Sequence, residues 1–277
     1  MKPSTSAAVV QMNSGDDVAA NLRAADTALQ QAAEAGAKLV VLPENFAFMG
    51  AHERDKLALA EADGSGHIQD FLAGAAARLK LWIVGGTLPI AAPDGRVFAS
   101  LCVYAADGAR AARYDKIHLF DVDIGGGERY RESNSIAPGA QVPVVVDTPV
   151  GRLGLSVCYD LRFPELYRAL VDLGATVLSV PAAFTVKTGA VHWHTLLKAR
   201  AVENQCFVLA PGQVGVHPGG RSTFGQSLIL GPWGETLAEC SAAAPGIAVA
   251  TLDAARLTEV RSSFPSLAHR RLIGEHR

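Results

Sequence analysis

Three residues with complementary chemistry each follow an apolar, strand-like run. Glu44 closes KLVVLPE, Lys116 follows the strand in RYDKIHLF, and Cys158 comes directly after GLSV. A free thiol, with a pKa of about 8.5, is only a few per cent ionised at neutral pH. A carboxylate can accept its proton, and an ammonium group can stabilise the negative charge that develops on attack. Taken singly each is an ordinary residue at a strand end, but together they predict nucleophilic catalysis by Cys158.

The elements that must position these residues alternate between strands and helices. Apolar residues at helical spacing predict helices over 18–32, 68–79, 164–174, 190–205 and 253–263. Strands are predicted over AAVVQM, KLVVLPE, LWIVGGTLP, VFASLCVY, ARYDKI, VPVVVDT, GRLGLSV, ATVLSVPAAF, CFVLAPGQV, SLIL, TLAEC and IAVATLD. The alternation indicates an α/β protein, and the interspersed hairpins favour two mixed sheets. Many strands are apolar throughout, so we expect the sheets to pack face to face with helices outside.

Composition limits the possible partners and locations. The 277 residues, 49% of them hydrophobic, contain no linker, repeat or charge run, so we expect a single domain over 1–277. A formal net charge of −2 gives no electrostatic case for nucleic acid or for an anionic membrane. The four cysteines lie far apart without a CxxC pair, which argues against a disulfide framework and a zinc site. The apolar stretch near the start is too short for a signal peptide or membrane span, so we expect a cytoplasmic location.

The segments around the three residues resemble a known family. LPEN, YDKIHLFD and CYDLRFPELY are similar to the signature segments of the nitrilase superfamily, carbon–nitrogen hydrolases with a Glu-Lys-Cys triad. The resemblance continues through RESNSIAPG, TGAVHW, KARAVENQCFV and GPWG. It implies a four-layer α-β-β-α sandwich, in agreement with the strand order above, and a homodimer or higher homo-oligomer. No metal or other cofactor is implied, because side chains and the backbone fill every role.

The resemblance also implies a role for each site residue. Cys158 attacks a carbonyl or nitrile carbon, and Glu44 accepts the thiol proton and passes it to the leaving amine. Lys116 and the backbone N–H of Tyr159 hold the oxyanion, and a thioester on Cys158 is then hydrolysed. A second family glutamate matches Glu132, where it positions the amine or the attacking water. From composition alone, Glu132 is instead a surface carboxylate in a polar loop over 121–140.

Within the superfamily, the segments most resemble the branch that contains deaminated glutathione amidase and ω-amidase. Its members cleave the side-chain amide of small α-keto acid derivatives, whose carboxylate Arg162 can bind bidentately. The alternative for Arg162 is a salt bridge that orients the turn after Cys158. Phe184 and Thr188 match pocket positions of the branch, with packing and a helix cap as their alternatives. Tyr130 can line the pocket entrance, with the same alternative of packing.

Two departures from the branch and several other functions stay open. His194 stands where the branch usually has glutamate, and Gln226 stands where histidine is frequent. Other enzyme functions are ω-amidase activity on α-ketoglutaramate, or nitrilase or N-carbamoyl amidase activity on another small substrate. A non-catalytic dimeric scaffold is the remaining alternative, against which the complete Glu-Lys-Glu-Cys set argues.

His192 and His194 lie about 200° apart around a helix and so cannot chelate one metal. The tail over 264–277 is predicted to pack on a partner subunit or to be solvated.

Overall fold

The structure is a computed structural model that describes residues 4–125 and 129–272. The helices of this part of the chain are α1 (Val18–Glu34), α2 (His67–Leu79), α3 (Pro164–Asp172), α4 (Val186–Asn204) and α5 (Ala254–Ser263). The strands are β1 (Thr5–Gln11), β2 (Leu39–Val41), β3 (Trp82–Ala91), β4 (Val97–Tyr104), β5 (Arg110–Asp115), β6 (Asp121–Asp123), β7 (Arg129–Arg131), β8 (Val145–Thr148), β9 (Gly151–Leu155), β10 (Val177–Ser179), β11 (Phe207–Ala210), β12 (Val214–Val216), β13 (Ser222–Phe224), β14 (Leu228–Leu230), β15 (Thr236–Glu239) and β16 (Gly246–Leu252).

Twelve of these strands form two six-stranded mixed sheets. The first has the order β16-β1-β2-β3-β4-β5, and the second has the order β15-β14-β11-β10-β9-β8. In each sheet three central strands are parallel, β1-β2-β3 in the first and β9-β10-β11 in the second. The outer strands pair antiparallel to this centre. Helical crossovers therefore join the parallel strands, and hairpins build the edges.

The period-two pattern of the central strands creates the layers. In β1, Ala7 and Val9 pack into the core between the two sheets, whereas Ala8 and Val10 pack against α1 and α2. Successive side chains of a strand point to opposite faces, so a fully apolar strand needs cover on both. Helices α3 and α4 pack on the outer face of the second sheet. The predicted α-β-β-α sandwich with two mixed sheets is thus confirmed.

Helix α4 begins earlier than the sequence pattern predicts. The prediction placed its start at residue 190, but it begins at Val186, after Thr185. The Thr185 hydroxyl accepts a hydrogen bond from the Thr188 N–H at 3.3 Å, which caps the first turn. Its first residue, Val186, is 47% exposed, so this turn has no buried apolar position to reveal it.

Two short ribbons were not predicted. Residues 121–140 were expected to form a loop, but β6 and β7 pair antiparallel there and a short 3₁₀ turn, Glu132–Asn134, follows. Strands β12 and β13 form a second antiparallel ribbon. All four strands have only three residues, too few for an alternating pattern to stand out from a polar or Gly-rich context.

The C-terminal segment contacts its own chain over the described residues. Arg270 forms a bidentate ion pair with Asp172 at 2.7 and 2.9 Å, and the Phe264 carbonyl accepts a hydrogen bond from Gln205. Residues 273–277 of the predicted tail lie outside the described residues, and packing on a partner stays a prediction. In the described ranges, no helix is both long and apolar enough to cross a membrane.

Gly86 in β3 packs closely against the backbone of the turn that carries Glu44. A Cβ atom there would lie 1.8 Å from the Pro43 carbonyl oxygen, so Gly86→Ala must displace this turn. We expect the variant to lower the free energy of unfolding by about 2 kcal/mol or more, measured by urea denaturation. Gly74→Ala is the control, because nothing lies within 4 Å of its Cβ in α2. It should raise stability by up to about 1 kcal/mol, and equal stability of the two variants would contradict this account.

Candidate active site

Three strand ends from the two sheets meet at one cavity. Glu44 follows β2 by three residues, Lys116 follows β5 directly, and Cys158 follows β9 by three residues. The cavity encloses an empty volume of about 480 Å³. Its walls include all nine residues that the sequence analysis selected: Glu44, Lys116, Tyr130, Glu132, Cys158, Tyr159, Arg162, Phe184 and Thr188. The sequence-distant residues therefore converge as predicted in space, whereas their roles stay predictions.

The Lys116 ammonium group lies at the centre of the polar cluster. Its Nζ donates to Glu44 Oε1 at 2.8 Å and to the two oxygens of Glu132 at 2.8 and 2.9 Å. The side chain is only 1% exposed. Burial alone would lower the pKa of Lys116, but the two carboxylates raise it well above its ordinary value. The site therefore contains a permanent positive charge.

The Glu44 carboxylate is held from both sides. While Oε1 accepts from Lys116, Oε2 accepts the Ala183 N–H at 2.9 Å, and the Glu44 carbonyl accepts from Gln213 at 3.0 Å. Burial by itself would raise the pKa of Glu44. The charge of the Lys116 ammonium and the hydrogen bonds to the carboxylate outweigh this effect, so the pKa of Glu44 is lowered overall. Glu44 is thus ionised at neutral pH and has a fixed orientation.

Cys158 occupies a strained position at the turn after β9. Its φ of 46° lies in the left-handed region, which costs a non-glycine residue about 1–3 kcal/mol. The Cys158 N–H donates to the Pro181 carbonyl at 2.9 Å, and a 3₁₀ turn over Cys158–Arg162 follows. Such strain persists only where the surroundings enforce it, and here it directs a thiol into the cavity.

Asp160 supports this turn and was missed in the sequence. The carboxylate is fully buried, and its Oδ2 accepts the Val157 N–H at 2.8 Å and the Tyr114 hydroxyl at 2.7 Å. Its Oδ1 lies 2.7 Å from His118 Nδ1. An acid two residues after a cysteine carries no local signal of burial, because its partners come from β5 and the segment after it.

The proton of the thiol–carboxylate pair belongs to sulfur. Burial and the adjacent Glu44 charge raise the pKa of Cys158 well above its ordinary value, and the opposing effect of Lys116 is smaller. The thiol and the Glu44 carboxylate therefore influence each other's pKa within the same cavity. At neutral pH the resting site therefore contains a neutral thiol beside a carboxylate that can accept its proton.

Glu132 is part of this cluster rather than of the surface. It lies just after β7, is 8% exposed, and accepts the Phe120 N–H at 2.6 Å in addition to the Lys116 ammonium. The alternative of a surface carboxylate in a polar loop is therefore wrong. Two carboxylates and one ammonium group share the interior with one neutral thiol.

One wall of the cavity is built around Arg162. Its guanidinium carbon lies 5.4 Å from the centre of the Phe184 ring and 5.8 Å from that of Tyr159, and Nη1 lies 3.3 Å from His192 Nδ1. Within the described ranges no carboxylate is at ion-pair distance from Arg162, so the alternative of a salt bridge is not found there. Thr188 lines the same cavity and also belongs to the cap of α4.

The cavity is also lined by residues that sequence reasoning missed. The Arg221 guanidinium carbon lies 5.4 Å from the centre of the Tyr130 ring, and Phe120 packs against the same ring at 5.1 Å. The other missed lining residues are Asn45, Glu53, Lys56, Ala183 and Thr185. Arg221 stands in the glycine-rich stretch PGGRST, which carries no local signal of a site.

The two departures from the family branch lie outside this cavity. His194 contacts Glu239 at 2.8 Å on the surface, and the Gln226 carbonyl accepts from the Trp193 indole N–H at 2.9 Å. Neither residue lines the cavity. His192 contacts Arg162 instead, so the two histidines of HWH have separate partners.

Comparisons with known proteins extend over nearly the whole chain. Residues 6–262 match the carbon–nitrogen hydrolase family. The deaminated glutathione amidase of Synechocystis sp. (strain PCC 6803 / GT-S) is 45% identical over 98% of this chain and 99% of that protein. The crystal structure of the Caenorhabditis elegans NitFhit protein superposes with a TM-score of 0.91 at 38% identity, covering 98% of this chain and 66% of that one. Saccharomyces cerevisiae Nit3, a member of branch 10 of the nitrilase superfamily, gives 0.85 at 29% identity, with 99% and 97% covered.

The charge arrangement predicts how the Cys158 thiol titrates. Glu44→Gln removes the negative charge beside sulfur and retains the Lys116 ammonium, so the pKa of Cys158 should fall. The pKa of Cys158 is measured from the ultraviolet absorbance of the thiolate across a pH titration. For each protein, the absorbance of the same protein with Cys158→Ala added is subtracted. The other three thiols, each with a pKa of about 11, cancel in that difference.

Glu53→Gln is the matched control, because it removes a carboxylate from the same cavity that does not act on the Cys158 pKa. It should leave the titration midpoint near that of the native chain. A midpoint that rises or stays constant in Glu44→Gln would disprove the assignment of the proton to sulfur.

Proposed function

The chain belongs to the carbon–nitrogen hydrolase family of the nitrilase superfamily, and from this we propose a cysteine-dependent amidase that cleaves a deaminated glutathione-like α-keto acid amide. It is a hydrolase of carbon–nitrogen bonds other than peptide bonds, as the sequence analysis predicted. One observation carries the mechanism: Lys116 bridges Glu44 and Glu132 beside the Cys158 thiol in one cavity.

In the proposed first step, Cys158 attacks the amide carbon. The Sγ–C bond forms as the thiol proton passes to Glu44, and the carbonyl electron pair moves to oxygen. Lys116 and the Tyr159 N–H stabilise this oxyanion. The Cys158 N–H is already donated to Pro181, which favours the next amide along the chain for this role. Negative charge thus moves from Glu44 to the substrate oxygen without leaving the reach of the ammonium group.

In the second step the C–N bond breaks and Glu44 returns the proton to the leaving amine. A thioester on Cys158 remains. Water then attacks the thioester carbon, Glu44 accepts one water proton, and that proton returns to sulfur as the acid is released. Glu132 fixes Lys116 and orients the amine or the water, a role supported by its two contacts with the ammonium group.

The proposed substrate fits the Arg162 wall. An α-keto acid carboxylate can bind the Arg162 guanidinium, which stacks near two aromatic rings and has no acidic partner in the described part of the chain. Phe184 packs against Arg162, and Thr188 and Tyr130 line the same cavity. Relatives named deaminated glutathione amidase support this substrate, whereas they do not favour the ω-amidase, nitrilase, carbamoylase or scaffold alternatives.

We further propose a homodimer or higher homo-oligomer in the cytoplasm. Trp233 and Phe264 are each more than half exposed and pack edge to face at 5.6 Å, and Val202 lies beside the turn that carries Trp233. Such an apolar patch is typical of a protein interface. The four free cysteines support a reducing compartment.

The thioester can be trapped. Rapid acid quenching of the enzyme with deaminated glutathione should give a covalent adduct with the mass of the 2-oxoglutaryl group, located on Cys158 by peptide mass spectrometry. Cys158→Ala should show neither adduct nor turnover. Turnover that survives in Cys158→Ala, or an adduct confined to buried Cys102, would refute the proposed mechanism.

Arg162→Lys tests recognition of the keto-acid carboxylate. The ammonium group retains the charge but loses the bidentate geometry, so we expect KM for α-ketoglutaramate to rise about tenfold. For an uncharged amide of similar length, KM should change less than about twofold, because no carboxylate is bound. Steady-state kinetics on both substrates measure this. Equal increases in both KM values would exclude Arg162 from carboxylate recognition.

A further inference from the structure

A second arginine, Arg221, lines the same cavity as Arg162. The Arg221 Nη2 donates to the Ala183 carbonyl at 3.0 Å, and Nη1 approaches Glu53 only to 3.8 Å. Its Nε is enclosed by protein, and no hydrogen-bond acceptor for it is found among the described residues. The side chain as a whole is 26% exposed and lines the cavity, so a ligand can reach the guanidinium group from there.

The part of the wall that contains Arg221 is shared by the cavity and a neighbouring groove. This exit wall consists of Asn45, Glu53, Lys56, Tyr130 and Arg221, all of which line both spaces. The groove has an empty volume of about 810 Å³ and continues to His52 and Arg129. Arg162 lines only the cavity. A ligand held at Cys158 with its acyl part toward Arg162 can therefore extend its other part along the exit wall.

The exit wall carries an excess of positive charge. Glu53 is shared by two cations, with Lys56 Nζ at 3.5 Å and Arg221 Nη1 at 3.8 Å. One carboxylate cannot neutralise both, so the wall has a net charge of about +1 by formal count. An anionic group is the ligand chemistry that this arrangement favours.

We propose that Arg221 binds a carboxylate on the leaving amine, so that the enzyme prefers amides whose departing amine is a short peptide with a free carboxyl end. This inference rests on the proposed function and assigns the leaving-group side of the same site. In deaminated glutathione, one carboxylate belongs to the keto acid and the other to the glycine of the cysteinylglycine that departs. An extended dipeptide reaches about 7 Å, which requires space beyond the cavity.

Arg221 is connected to Glu44 through Ala183, and the experiment must take this connection into account. The Ala183 carbonyl oxygen accepts from Arg221 Nη2, and the Ala183 N–H donates to Glu44 Oε2. The Arg221 charge also contributes to lowering the pKa of Glu44. A substitution of Arg221 therefore slows every substrate to some degree, and only a difference between substrates reports carboxylate recognition.

The test compares three substrates: deaminated glutathione, the same compound with its glycine carboxylate converted to an amide, and α-ketoglutaramate, whose leaving group is ammonia. Native enzyme should prefer the free acid over the amidated compound by about 10- to 100-fold in kcat/KM, the range for a charged hydrogen-bonded pair. Arg221→Gln should abolish this preference through KM, and Arg221→Lys should restore part of it. Arg162→Lys should lower kcat/KM for all three substrates alike.

Arg152→Gln is the matched control, because this exposed arginine lies on β9 away from the cavity. It should retain the native preference. The Arg221 inference is overturned if Arg221→Gln lowers kcat/KM for all three substrates by the same factor. It is also overturned if native enzyme hydrolyses the free acid and the amidated compound equally well. In both cases the proposed function stands. The substrate comparison on native enzyme needs no variant, so a folding defect cannot obscure it. Absence of hydrolysis for all three substrates would instead refute the proposed function.

Discussion

The buried Lys116 ammonium group is the constraint on which the site depends. A charge removed from water is tolerated only when opposite charges and hydrogen bonds compensate for the lost hydration. Here Glu44 and Glu132 supply that compensation at 2.8 Å each, and they come from different segments of the chain. The ends of β2 and β5 and the turn after β7 must therefore meet at one point. Loss of either carboxylate would remove part of the hydrogen bonding and opposite charge that compensate the buried ammonium group.

This arrangement also explains why sulfur retains its proton at rest. The cluster of Glu44, Glu132 and Lys116 has a formal charge of −1, and a thiolate would add a second negative charge in a buried space. In the proposed attack the proton moves to Glu44, so the total charge stays constant and only its position changes. In that mechanism the ammonium group that contacts Glu44 also stabilises the developing oxyanion, and so favours the transition state over the resting state. The proposal therefore activates the nucleophile by proton transfer to a base and not by a lowered thiol pKa.

The parts of this structure that the sequence predicted are those with local signals. Residues 7–10 of β1 are all apolar and α1 repeats Leu22, Ala25 and Leu29 on one face, so the type and layer of both elements could be predicted. The three catalytic candidates were found because each follows a strand, and their motifs resemble a family. Asp160 and Arg221 were not selected from the sequence, because their importance comes from partners distant along the chain. The three-residue strands β6 and β7 were not predicted, because backbone pairing, rather than a side-chain pattern, defines them.

The two arginines of the cavity illustrate how context separates residues of one type. Arg162 lies among aromatic rings and His192, whereas Arg221 shares Glu53 with Lys56 and contacts the backbone beside Glu44. The first is isolated from the charges that move in the reaction, and the second is coupled to them. A ligand carboxylate at Arg221 would bring negative charge near the exit wall, in competition with Glu53 for the guanidinium group. The proposed leaving-group site and the proposed base, Glu44, are therefore linked through the Arg221 side chain. The family departures His194 and Gln226 have no part in this linkage, since they lie outside the cavity, and the contact of His194 with Glu239 affects the packing of α4 on β15.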